Sequence, residues 1–99
     1  MPFDATPRKV NEVSVGLRKM AEWFRANGFT PSYTQGKCGC FAKSLNEIHP
    51  VRSILWTETI CALPFDCSYE TLVALGYTYD PTGEKAAQLC ERVAAELEL

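Results

Sequence analysis

The sequence predicts an all-α fold, a compact single domain of four to five short helices around one core. Three observations carry that expectation. Apolar residues recur at three- and four-residue steps near both ends of the chain. Glycine or proline stands where those stripes stop. A chain of 99 residues, 46% apolar and 22% charged, fits one core and not two, because a smaller unit buries too little surface to offset chain entropy.

The first element is the clearest. Val10, Val13, Leu17, Met20, Ala21 and Phe24 share one helical face, and Gly28 follows Asn27 as a stop. Residues 1–8 precede that stripe and read as an N-terminal tail. Trp23 flanks the stripe, while Val15 falls among Arg18, Lys19 and Glu22 on the other side. Residues 29–37, FTPSYTQGK, are turn formers and read as loop.

Phe41, Leu45 and Ile48 then predict a short second helix that ends before Pro50, since proline pushes His49 away from helical angles. Extending that stripe back one turn places Cys38 with the core face and Cys40 on the exposed side of the helix start. The segment 51–63 is ambiguous. Its β-branched residues and the alternation of Ile54, Trp56, Glu58 and Ile60 suit an extended strand. A lone strand would lack a partner, so a helix is the preferred assignment.

Asp66 or Ser68 can cap a fourth helix running through Leu75, with Leu72 and Val73 turned inward and Gly76 as its stop. Asp80 and Pro81 mark the start of the last helix, where Ala86, Leu89, Cys90, Val93, Ala94 and Leu97 share a face. Glu91, Glu96 and Glu98 read as a solvated surface.

Charge is unevenly spread. Residues 1–49 hold seven basic and four acidic side chains, whereas residues 50–99 hold three and eight, for a net charge of −2. This balance argues against general attraction to nucleic acid or anionic membranes and favours oriented contact with another protein. The opening stretch MPFDATPRKVNEVSVG lacks the apolar core of a secretory leader, and no run of apolar residues is long enough to span a bilayer. The expected location is cytoplasmic, with no membrane partner.

GKCGC at residues 36–40 is the one local cluster to weigh as chemistry. Cys38, Cys40, Cys61 and Cys67, with His49 as a substitute, could supply soft ligands to a tetrahedral zinc ion. Their spacing departs from that of the common fingers, which place two to four residues between paired ligands. Cys-Gly-Cys also lacks the two-residue spacer of redox motifs. A catalytic Cys40 would need His49 as its base, and a continuous second helix holds that residue two to three turns away. Packing is the preferred role for Cys38 and Cys90, because buried cysteine behaves as a small hydrophobe.

With no catalytic constellation and no cofactor expected, the sequence favours a small non-catalytic protein-binding module. Adaptors, regulatory subunits and inhibitors of a larger complex, including those that phages turn on host defence, fit that description. The expected contact residues are Val15, Arg18, Lys19, Trp23, Tyr33, Lys37, Cys40 and Lys43, on the first helix and the loop that leads to the second. The alternative is a small zinc- or nucleic-acid-binding regulator that uses Cys38, Cys40, Cys61 and Cys67.

Overall fold

Five α-helices make up the molecule among the residues described by the computed structural model, whose backbone covers 6–36, 38–48 and 54–99. They are α1 (Thr6–Asn27), α2 (Gly39–Ile48), α3 (Ile54–Cys61), α4 (Tyr69–Ala74) and α5 (Glu84–Leu97), with one 3-10 turn at Tyr33–Gln35 between α1 and α2. The expected all-α class is the observed one.

α1 is longer than its apolar stripe implied. It begins at Thr6, so it takes in the last part of the stretch read as a tail, and residues 1–5 lie outside the described residues. Val13, Leu17, Met20, Ala21 and Phe24 are buried along one side, as the three- and four-residue spacing requires. Gly28 ends the helix in the left-handed region, at φ 78°, and its N–H donates to the Phe24 carbonyl at 2.7 Å. The next residue, Phe29, pairs with Asp80 in an isolated antiparallel bridge of 2.8 and 2.9 Å. This pins the end of α1 to the loop that precedes α5.

α5 starts three residues after the expected Asp80-Pro81 boundary. The Asp80 carboxylate accepts from the Thr82 N–H at 3.0 Å and from the Thr82 hydroxyl at 2.6 Å, and its other oxygen reaches the Lys85 N–H in the first turn of α5 at 3.5 Å, so it ties the turn to the helix start it was expected to cap. Gly83, at φ 64°, then reverses the backbone into α5. Ala86, Leu89, Cys90, Val93 and Ala94 are buried, and α1 with α5 is the most extensive helix pair. The small side chains at 86, 90 and 94 permit close approach of the two helices.

The same pair takes up part of the charge asymmetry inside the molecule. Arg25 on α1 holds both Glu84 and Glu91 on α5, with N–O distances from 2.6 to 3.0 Å. Arg18 grips Glu98 at 2.6 and 3.1 Å. Basic and acidic halves of the sequence therefore meet within the molecule. Glu91 and Glu98 are ion-paired rather than merely solvated.

α2 buries Phe41 and Leu45, and the rings of Phe24, Phe29 and Phe41 meet with centroids 5.2 to 5.6 Å apart. The segment that also suited a strand is helical from Ile54, and 51–53 lie outside the described residues. Its Thr59 is buried and Ile60 half-buried. α4 opens on Ser68, whose hydroxyl accepts from the Thr71 N–H at 3.3 Å. Leu72 is buried there, but Val73 is 41% exposed instead of turned inward. Consecutive helical residues lie about 100° apart, so a helix of six residues resting on one edge of the core buries one of the two.

Candidate functional site

A cleft of about 360 Å³ opens where the end of α1 meets α2. Trp23 and Asn27 line it from α1, Thr30 from the following loop, and Cys40, Lys43 and Glu47 from α2. The elements converge because Gly28 turns the chain back and the Phe24–Phe41 contact holds α2 beside α1. Trp23 is half-buried, its ring edge-on to Phe24 at 5.5 Å, and the Asn27 side-chain amide donates to the Trp23 carbonyl at 2.9 Å. The Phe24 ring thus backs the indole, while Asn27 secures the last turn of α1.

Val15, Lys19, Trp23 and Asn27 follow one another at four-residue steps, which places them in a single ridge along α1. The last two line the cleft. Val15 is 50% exposed, and Lys19 and Lys43 are exposed as well. Of the expected contact residues, the structure brings Trp23, Cys40 and Lys43 together in the cleft, and Val15 and Lys19 lie on the α1 ridge that leads to it. Arg18 lies on the α5 side, bound to Glu98. Tyr33 is exposed but stacks on Tyr69, with ring centroids 3.9 Å apart, and joins the loop to α4. Lys37 lies outside the described residues.

Cys40 departs from its expected place. It is buried, and its thiol donates to the Thr30 carbonyl at 3.2 Å, because the loop after Gly28 folds over the start of α2. Burial pushes the Cys40 thiol up from its ordinary pKa, an effect that backbone hydrogen bonds and the charge of Lys43 only partly oppose. Its thiol fastens the loop to the start of α2 as a hydrogen-bond donor. Cys38, expected in the buried stripe, lies before the helix at φ 58° and is half-buried. The helical pattern misplaced Cys38 because α2 begins one residue after it, and Cys40 because the loop covers that side of the helix start.

The four cysteines considered as zinc ligands do not converge. Cys38 donates to the Asp66 carbonyl and Cys40 to that of Thr30, Cys61 is exposed on α3, and Cys67 is buried. Among the described residues no group of three or more His, Cys, Asp or Glu side chains is placed to hold a metal ion, and His49 lies outside them. None of their helices is long and apolar enough to cross a membrane.

Sequence spacing missed three cleft residues. Asn27 and Glu47 stand four positions after Trp23 and Lys43, so the helical period could have found them. Thr30 offered no signal, since a loop has no period. No family model, curated protein or solved structure matches the chain.

Proposed function

We propose that the chain is a small non-catalytic protein-binding module, an adaptor, regulatory subunit or inhibitor of a larger complex. Its contact surface is the α1 ridge of Val15, Lys19 and Trp23 together with the cleft edge at Lys43. One observation supports this most directly. Arg18 and Arg25 are held by carboxylates of α5 and of its C-cap, whereas Lys19 and Lys43 remain exposed beside the half-buried indole. A rigid aromatic edge flanked by cations suits a partner that supplies apolar groups to Val15 and Trp23 and carboxylates to the two lysines.

The test is affinity capture with the wild-type chain and with a Lys19→Glu, Lys43→Glu double variant, both checked for helical content. The proposal expects a defined protein to bind the wild type and to bind the variant about tenfold or more weakly. Equal retention by both chains contradicts it.

A further inference from the structure

We propose that Cys38 and Cys67 form a redox pair, closing to a disulfide when the chain meets a peroxide and clasping the start of α2 to the turn before α4. Both cysteines lie at helix starts. Cys38 immediately precedes α2, and Cys67 immediately precedes Ser68, the N-cap of α4. The Cys38 thiol donates at 3.0 Å to the carbonyl of Asp66, the neighbour of Cys67, across 28 positions of sequence. The Cys67 thiol donates to the Phe65 carbonyl at 3.5 Å, in the same turn. The Cys38 sulfur therefore lies against the backbone next to Cys67.

Backbone geometry singles out the same two residues. Among the described residues, Cys38 at φ 58° and Cys67 at φ 56° are the non-glycine positions in the left-handed region. An L-residue adopts that conformation at a cost. Such strain persists only where the surroundings enforce it, and it gathers at functional positions. The other cysteines are differently placed. Cys40 donates to the Thr30 carbonyl, Cys61 lies exposed on α3, and Cys90 is sealed in the α1–α5 core.

Exposure assigns the two roles. Cys38 is half-buried and open to a small oxidant, whereas Cys67 is 1% exposed. Burial first, and Cys38 next, keep the Cys67 thiol protonated well above its ordinary range. Cys38 is accordingly the sulfur oxidised first, and Cys67 the one that resolves it. The Cys38 thiolate attacks one oxygen of hydrogen peroxide and the O–O bond breaks, leaving Cys38 sulfenic acid and a hydroxide that is protonated to water. The Cys67 sulfur then attacks the sulfenic sulfur, the S–S bond forms as the S–O bond breaks, and the Cys67 proton leaves with the hydroxide as a second water. Two thiols lose two electrons and two protons, and the peroxide is reduced to two waters. A dithiol reductant reverses the bridge by exchange.

The experiment oxidises the reduced full chain with hydrogen peroxide, alkylates the remaining thiols in denaturant and maps the linkages without reduction. Trypsin leaves Cys38 with Cys40 in one peptide and Cys61 with Cys67 in another, so chymotryptic cleavage after Phe65 and fragment spectra fix the pairing. The expected product is a monomer two hydrogens lighter, with Cys38 joined to Cys67 and the other three cysteines alkylated. In a Cys67→Ser chain, Cys38 is expected to stop at a sulfenic acid that dimedone traps. A dominant link of any other pairing, a disulfide dimer through Cys61, or five unlinked cysteines at excess peroxide overturns the proposal. The map is read on the wild-type chain, so it decides the matter even where the variant fails to fold.

Discussion

A β-carbon on Gly83 would collide with the carbonyl oxygen of Phe24, so the first turn of α5 meets the last turn of α1 backbone to backbone. Gly83→Ala must both hold φ 64° with a side chain and push the two helices apart. The left-handed strain and the overpacking together are expected to cost about 3 kcal/mol. At Gly76, also left-handed, a β-carbon meets the movable end of Lys85 at 2.8 Å instead. Gly76→Ala should therefore lose only about 1–2 kcal/mol, chiefly the strain. Urea denaturation of the two variants separates these outcomes.

The α1–α5 ion pairs make stability depend on acid and on salt. Hydrogen bonds from Arg25 hold Glu84 and Glu91 below the usual carboxylate range, and Arg18 does the same to Glu98. Folded carboxyls with lowered pKa values bind fewer protons than unfolded ones, so their contribution is complete above pH 4.5 and is lost as pH falls through the lowered values. Arg25→Ala is expected to be less stable than the wild type at pH 7 and to converge with it as pH falls through those lowered values. The gap should also shrink in 1 M salt, where the screening length is about 3 Å. Parallel stability curves for the two chains across pH would contradict the pairing.

This clamp also explains why the charge asymmetry was visible in the sequence while its use was not. Counting charges locates Arg25 and Glu91 in different halves of the chain, but nothing local says that α5 returns alongside α1. Period-based features fared better. Leu17, Phe24, Phe41, Leu89 and Cys90 are all buried as their spacing required, because a helix presents every third or fourth residue to the same side. Cys40 and Val73 failed for the complementary reason. Which outer face a loop covers, and how much core a six-residue helix meets, depend on tertiary placement. The cleft follows the same division, since its α1 and α2 walls obey a helical period and Thr30 obeys none.

Thiol reactivity should follow depth. Cys61 is exposed, whereas burial pushes the Cys90 thiol up to about 12 and raises that of Cys40 as well. Timed alkylation of the reduced native protein is expected to label Cys61 first and Cys90 only on unfolding. Early labelling of Cys90 would place it outside the α1–α5 core.

The aromatic cluster should dominate single-site energetics. Phe41 is fully buried against Phe24 and Phe29, so Phe41→Ala is expected to cost about 3–5 kcal/mol. Ser68→Ala removes one helix cap and is expected to cost about 1 kcal/mol. Thermal and urea denaturation should rank them in that order.

The contact surface is tested most directly by site-specific photo-crosslinking from the folded chain in a lysate of its source. A photoreactive residue at Lys43, on the cleft edge, is compared with one at Glu96, exposed on α5. The account expects one discrete protein adduct from position 43, lost when Lys19→Glu is added, and none from position 96. An adduct from position 96 alone, or the same adducts from both, would contradict it.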